Sequence, residues 1–183
     1  MTRLQALDPA TTTGKARDLL EAVHKKLGIT PNMMLTMANS PAVLEGYLNF
    51  SAALAGGSLS ARLREQIALA VAQANSCEYC LSAHTAIGKM VGLQEDDILA
   101  SRQSASTDAR TDAALRFAHQ MVVRRGELDA SEVDQVRAAG YSDGEIAEII
   151  ANVALNLFTN YFNHVAGTEV DFPRVSVLLR KTA

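Results

Sequence analysis

Residues 60–84, SARLREQIALAVAQANSCEYCLSAH, predict two helices joined by a tight turn. The first segment is amphipathic, because its apolar residues follow the i, i+4, i+7 spacing of one helix face: Leu63, Ile67, Ala70, Val71 and Ala74. The residues ANS at 74–76 favour a break, and a chain that turns back there forms an antiparallel helical hairpin. Glu65 lies ten residues before Asn75 and His84 lies nine after it. The hairpin would therefore bring the carboxylate and the imidazole level with each other.

Helix start and stop signals recur along the rest of the chain. Ser142 with Glu145 forms a capping box, and Asp129 with Glu132 forms its aspartate variant. Long alternating runs of β-branched residues and two-residue hairpin turns are absent from the sequence. We therefore predict an all-α protein, a compact fold of about eight helices with short loops. The tail from 168 to 183 is expected to be extended at first and then to form a short helix.

Composition narrows the class of protein. The 183 residues are 48% hydrophobic and carry a net charge of -3, which suits one globular domain spanning residues 1–183. The sequence has no long basic block, so we expect neither nucleic acid nor an anionic membrane as the partner. The first twenty residues show no apolar signal-peptide core, which predicts a cytoplasmic protein. In that compartment a lone close cysteine pair indicates metal binding or redox chemistry rather than a structural staple.

One segment is long enough to raise the question of a membrane helix. Residues 149–168 contain no Asp, Glu, Lys or Arg. However, Asn152, Asn156, Asn160 and His164 recur at spacings of four and form one polar stripe on a helix, which would be costly in lipid. We therefore predict a buried helix whose stripe faces a partner helix or an internal site. Its uncharged surface also predicts a homo-oligomer, since one small helical domain would not cover that surface alone.

The two cysteines, Cys77 and Cys80, allow several chemistries, and most of them fit poorly. Zinc would receive at most three ligands from Cys-x-x-Cys-x-x-x-His, and no second pair supplies the fourth, so we predict no metal. Haem attachment needs a histidine directly after the second cysteine, where Leu81 stands. A disulfide across two residues closes a tiny loop and stabilises little. A redox dithiol at a helix N-terminus remains.

The physical chemistry of such a dithiol is coherent. With Ser76 near the cap, Cys77 would lie in the first helical turn and Cys80 in the next, so their sulfurs would share one face. Helix amides lower the pKa of a cysteine, and the thiolate is the reactive form. His84 follows Cys80 by four residues and could exchange its proton, while Glu65 would orient the imidazole.

The segment EQIALAVAQANSCEYCLSAH resembles the signature of the AhpD-like branch of the carboxymuconolactone decarboxylase superfamily. That signature is Glu, eleven residues, Cys-x-x-Cys, three residues, His, and every element is present. The flanking stretches TPNMMLTMANSPAVLEGYL and NYFNHVAGTEVDFP are similar to peroxidase-related members of this size. The resemblance implies an all-α domain with a core module over about residues 40–127, assembled as a trimer or hexamer. It also implies a thiol peroxidase or disulfide reductase without a cofactor.

The resemblance also implies a role for each site residue. Cys80 would be the peroxidatic cysteine, usually the more exposed of the two, and Cys77 the resolving one. Glu65 and His84 would form a proton relay, the substrate would be a hydroperoxide, and a dithiol or a protein thiol would be the reductant. Tyr79 stands where characterised members often have a second relay histidine. We take Tyr79, Asn160 and His164 as candidate pocket residues.

A second class of function stays open at this point. The protein could be a non-enzymatic redox-sensing or interaction protein that keeps the dithiol as a switch. Peroxide consumption by the reduced protein, with a dithiol as reductant, separates the two classes.

Overall fold

The computed structural model describes residues 2–178, which form nine α-helices and no strand, as the all-α prediction requires. In chain order the helices are α1 (Gly14–Leu27), α2 (Asn32–Met37), α3 (Pro41–Ala55), α4 (Ala61–Ala74), α5 (Glu78–Met90), α6 (Glu95–Arg102), α7 (Ala109–Val123), α8 (Ala130–Ala138) and α9 (Asp143–Ala166).

The predicted helix starts are confirmed where the sequence contains a capping box. Both predicted capping boxes form, with Asp129 at the start of α8 and Ser142 at the start of α9. The short helices α2 and α6 are additions to the prediction, because six and eight residues are too few to display a helical period. Residues 168–178 contain no helix, and the remainder of the predicted tail helix lies outside the described residues.

Helix α4 lies at the centre of the molecule and packs against α5, α6, α7 and α9. Much of its length is fully buried, and its alanines let neighbouring helices approach closely. One apolar cluster, which includes Leu20, Met37 and Leu81, lies on one side of α4, and a second, which includes Leu115 and Ile149, lies on the other. Helix α4 is therefore held between two cores and α5 packs into the first of them, which suits a precisely positioned site.

The polar stripe of the long helix α9 points inward, as the sequence predicts for its amides. Asn152 and Asn156 are buried, and each amide donates to the carbonyl oxygen four residues earlier on the same helix, at 2.8 Å. Asn160 is buried as well, whereas His164 is exposed at the end of the stripe. Among residues 2–178, no helix combines the length and the apolar character that crossing a membrane demands.

The opposite side of α9 presents large apolar side chains to solvent. These side chains are between 41% and 68% exposed, and they share one helix face: Ile150, Phe158, Tyr161 and Val165. We call these four residues the outer stripe. Phe50 on the adjacent helix α3 is also 41% exposed. Several large apolar side chains exposed on one helix face are typical of a protein–protein contact.

We expect the purified protein to be an oligomer that buries the outer stripe. Light scattering should give a multiple of the 19.6 kDa chain mass. Phe158→Glu should lower that mass, because it places a charge in the centre of the apolar contact. Leu99→Glu is the matched control, since Leu99 is equally exposed but lies on α6, which packs on α4 and α5. A mass of 19.6 kDa for the unaltered protein would refute the prediction.

Candidate active site

The turn between α4 and α5 sets the geometry of the site. Ser76 adopts a left-handed backbone with φ of 57°, and Cys77 is extended with φ of -87° and ψ of 94°. Cys77 is therefore itself the N-cap of α5, one residue later than the cap predicted from the sequence, because the reversal takes place at Ser76. Its sulfur accepts a hydrogen bond from the backbone N–H of Cys80 at 3.4 Å.

Helix α9 holds this turn in place through two side chains. The Asn75 amide donates to Oδ1 of Asn160 at 2.9 Å, and Nε2 of His164 donates to the Asn75 carbonyl oxygen at 2.9 Å. Asn160 and His164 are both among the pocket residues predicted from the sequence. His164 contacts the backbone of the turn from the exposed side and so positions the turn, while Asn160 reaches inside.

The two sulfurs face each other in a buried position. The Cys77 thiol donates to Sγ of Cys80 at 2.7 Å, and both cysteines are free. Each residue is only 2% exposed, so the expected greater exposure of Cys80 is absent from this structure. The chemical surroundings of the two sulfurs, rather than their exposure, have to distinguish their roles.

Those surroundings favour the thiolate at Cys80. Burial by itself raises the pKa of Cys80, but the hydrogen bond from the Cys77 thiol and the polar side chains of three nearby residues of α9 outweigh it and lower that pKa: Asn163, Asn160 and Thr159. The closest α9 contact is Nδ2 of Asn163, 3.3 Å from the sulfur. The pKa of Cys77 is raised, because its proton is donated to Cys80 and because burial disfavours its charge.

Glu65 and His84 meet as the hairpin predicts. Oε2 of Glu65 lies 2.7 Å from Nδ1 of His84, and the two side chains are 17% and 21% exposed. Burial lowers the pKa of His84, but the neighbouring carboxylate raises it by more, so the net shift is upward. Within the described residues the imidazole makes no hydrogen bond to either sulfur, and its charge acts on Cys77. A water or the substrate would have to bridge the imidazole and the sulfurs.

Tyr79 contacts α2 and the C-terminal segment. Its hydroxyl accepts a hydrogen bond from the backbone N–H of Met33 at 3.1 Å, and its ring packs edge-on against Phe172 at 5.8 Å. Burial raises the pKa of this phenol, so it stays protonated near neutral pH. Tyr79 therefore anchors the first turn of α5 to α2 and to the C-terminal segment.

Several residues of the site were missed by the sequence analysis. The pKa of Tyr47 on α3 is raised to about 12, first by burial and then by the charges of Glu65 and Cys80, so its phenol lies within electrostatic range of both. No spacing pattern connects Tyr47 to the hairpin. Asn163 had a detectable signal, since it lies three residues after Asn160 and so on the same side of α9.

Comparison with known proteins agrees with this fold. Residues 41–120 match the model of the Carboxymuconolactone decarboxylase family. The structure is similar to the alkylhydroperoxidase AhpD core of an uncharacterized peroxidase-related protein from Ralstonia eutropha JMP134, with a TM-score of 0.82 and 26% identity over 93% of this chain and 92% of that one. A peroxidase-related protein from Silicibacter sp. TM1040 gives a TM-score of 0.80 and 26% identity over 91% and 92%.

A third similar structure shares the fold alone. It is the debrominase Bmp8, in complex with 2,3,4-tribromopyrrole, at a TM-score of 0.80 and 21% identity over 93% of this chain and 92% of that one. No curated protein matches the sequence. The chain has an AhpD-like fold, and residues 41–120 of it match the carboxymuconolactone decarboxylase family.

We expect Cys77 and Cys80 to form a reversible disulfide, because their sulfurs lie only slightly farther apart than the S–S bond length of about 2.05 Å. Mild oxidant should remove both free thiols, and dithiothreitol should restore them. Cys77→Ser is the control that cannot close the bond. If mass spectrometry finds no intramolecular link after oxidation, the pair is not a redox pair.

The charge of Glu65 should govern the titration of His84. In Glu65→Gln we expect the pKa of His84 to fall below its ordinary value of about 6.5, since burial then acts without the carboxylate. A raised folded-state pKa means that the pair stabilises the fold fully below about pH 6.5, and that this contribution disappears as the pH rises through the folded-state pKa. NMR titration of the imidazole Cε1 proton measures the shift.

The matched control for this titration is Glu78→Gln. Glu78 is also on the hairpin, but it faces Arg174 at 3.8 Å and is 43% exposed, so its loss should leave the pKa of His84 unchanged. An unaltered His84 pKa in Glu65→Gln would contradict the role of the carboxylate.

Proposed function

We propose that this protein is a thiol-dependent peroxidase that reduces hydroperoxides through Cys80, with Cys77 as the resolving cysteine and a dithiol or a protein thiol as the reductant. The observation that carries the proposal is the asymmetry of the sulfur pair. The Cys77 thiol donates to Cys80 at 2.7 Å, and the donors of α9 converge on Cys80 as well. A buried sulfur with that many donors is suited to be the attacking thiolate.

The first step transfers one oxygen atom to sulfur. The Cys80 thiolate attacks the terminal oxygen of the hydroperoxide, so that an S–O bond forms and the O–O bond breaks. The sulfur loses two electrons and becomes a sulfenic acid, and the peroxide is reduced to an alcohol or to water. The leaving oxygen takes up a proton, which the Glu65–His84 pair can supply through a water.

The second step closes the disulfide and discharges water. Cys77 attacks the sulfenic sulfur of Cys80, the S–S bond forms and the S–O bond breaks. The proton of the Cys77 thiol goes to the departing hydroxide. The high pKa of Cys77 makes it a poor nucleophile on its own, so a base is needed at this point. His84, whose charge acts on Cys77, fits that role once it has given up its own proton.

The third step restores the dithiol. An external dithiol or protein thiol attacks the disulfide, passes through a mixed disulfide, and leaves oxidised, so that two electrons and two protons return to Cys77 and Cys80.

One observation favours a second candidate function. Both sulfurs are only 2% exposed, so a large protein reductant would need the site to open. A redox switch that is read out by a change of shape does not need fast turnover. Continuous consumption of peroxide by the reduced protein in the presence of dithiothreitol supports the peroxidase, and a single stoichiometric oxidation supports the switch.

We expect the two cysteine variants to separate the roles of the sulfurs. Cys80→Ser should abolish peroxide turnover, because the attacking sulfur is gone. Cys77→Ser should react once and stop, since it leaves Cys80 as a sulfenic acid without a resolving partner. Trapping with dimedone and mass spectrometry identifies the modified residue. A dimedone adduct on Cys77 of Cys80→Ser, with none on Cys80 of Cys77→Ser, would reverse the assignment.

The relay residues should behave as one unit in the same assay. His84→Gln and Glu65→Gln should each slow peroxide reduction by about a hundredfold, the usual scale of general acid–base catalysis. The double variant should be little slower than the slower single variant, because residues that act together are not additive. Wild-type rates in both single variants would make the pair structural.

A further inference from the structure

Two buried amide atoms beside Cys80 have no hydrogen-bond partner among residues 2–178. They are Nδ2 of Asn160, a donor, and Oδ1 of Asn163, an acceptor. Asn160 is fully buried and Asn163 is 4% exposed. Buried polar atoms are almost always satisfied, so an unpaired donor and an unpaired acceptor at one place call for a ligand or a water.

The orientation of both amides is set by their other atoms. Nδ2 of Asn163 donates to Sγ of Cys80 and to Sδ of Met33, at 3.3 Å in each case. Oδ1 of Asn160 accepts from Asn75 at 2.9 Å. Turning over either amide would lose these contacts, because it would exchange the donor for the acceptor. The unpaired donor and the unpaired acceptor are therefore built into the site.

The other amides of α9 provide the contrast. Asn152 and Asn156 are buried on the same stripe, but each donates to the backbone of its own helix. Asn160 and Asn163, in contrast, are among the groups that lower the pKa of Cys80 most. Among the asparagines of α9, the unpaired buried atoms thus belong to the two that lie beside the sulfur, while the other unpaired atoms of residues 2–178 are the hydroxyls of Thr85 and Thr168.

We propose that Asn160 and Asn163 form the subsite for the hydroperoxide group itself. This assignment rests on the proposed peroxidase function and specifies how that site holds its substrate. A hydroperoxide carries one O–H donor and accepts hydrogen bonds at both oxygens. Its terminal hydroxyl donates to Oδ1 of Asn163, and its second oxygen accepts from Nδ2 of Asn160. Hydrogen peroxide and alkyl hydroperoxides share this group, so the subsite serves both.

The same contacts continue through the reaction. The terminal hydroxyl, once it is transferred to sulfur, keeps its hydrogen bond to Asn163 as the sulfenic acid. The second oxygen gains negative charge as the O–O bond breaks, and the Asn160 donor faces it. A fixed donor in a buried site stabilises the transition state most where charge develops in this way. Asn160 is therefore assigned to the leaving oxygen and Asn163 to the attacking sulfur and the transferred hydroxyl.

The test uses the full-length Cys77→Ser protein, in which Cys80 is the only thiol. Second-order rates are measured across pH with hydrogen peroxide, cumene hydroperoxide and iodoacetamide. Each profile gives the Cys80 pKa and the limiting rate of the fully formed thiolate. With Asn160→Leu, we expect the limiting rate with both peroxides to fall by about tenfold or more. The limiting rate of alkylation should stay within about twofold, because iodoacetamide has no leaving oxygen for the amide to hold.

Two further variants keep the test decisive. Asn160→Asp retains an acceptor for Asn75 but no donor, so it should show the same loss with peroxides even if Asn160→Leu folds poorly. Asn156→Leu is the matched control, a buried amide on the same helix that should alter neither limiting rate. Circular dichroism and the melting temperature verify the fold of each variant.

The unfavourable outcomes are distinct. If Asn160→Leu and Asn160→Asp change only the Cys80 pKa, and the limiting peroxide rates match the unsubstituted background, the subsite is wrong while the peroxidase stands. If peroxide and alkylation rates fall equally, Asn160 merely shapes the thiolate, and the subsite is again wrong. If the background protein reacts with neither peroxide, the proposed function fails and the subsite with it.

Discussion

The reversal of the backbone at Ser76 is the constraint on which the rest of the site depends. A left-handed conformation at a residue with a side chain costs about 1–3 kcal/mol, and it persists because its surroundings hold it. Asn160 and His164 of α9 bind Asn75 on one side of the reversal, and the Cys77 N–H donates to the Ala72 carbonyl oxygen across it. The turn therefore sets the relative positions of two residue pairs, Glu65 with His84 and Cys77 with Cys80. It levels Glu65 with His84, and it makes Cys77 the cap of α5 so that both sulfurs lie in the first turn.

The features that the sequence predicts are those set by residues close together along the chain. The hairpin, the meeting of Glu65 with His84, and the capping boxes of α8 and α9 all follow from residues fewer than twenty positions apart. Helix period and cap chemistry act over that range, so they leave a pattern in the sequence. The contact between Asn163 and Cys80 joins residues 83 positions apart, and it depends on how α9 packs across the hairpin. Tyr47 depends in the same way on the packing of α3. No periodic pattern records such a contact.

Two kinds of group contribute to the electrostatics of the site. Amides and the Cys77 thiol stabilise charge on Cys80, while the Glu65–His84 pair is the proton relay of the proposed mechanism. Amides do not titrate, so their support for the thiolate is the same at every pH. Tyr79 agrees with this division, because its phenol is committed to Met33 and stays protonated near neutral pH, leaving proton exchange to the imidazole. Burial then strengthens both parts, since a low local dielectric increases every charge interaction.

Opposite pKa shifts give this arrangement its working range. The pKa of Cys80 is lowered and that of His84 is raised. The thiolate therefore forms at a lower pH, and the imidazolium persists to a higher pH, than the ordinary pKa values of the two groups would give. The two shifts bring the titrations closer together, so more of the protein holds a nucleophile and a proton donor at once, which the proposed attack on a hydroperoxide needs. In the proposed mechanism, resolution by Cys77 needs the opposite state of His84, a neutral base. Protonation of the leaving oxygen converts the imidazolium to that base, so each step leaves the relay in the state that the next one requires.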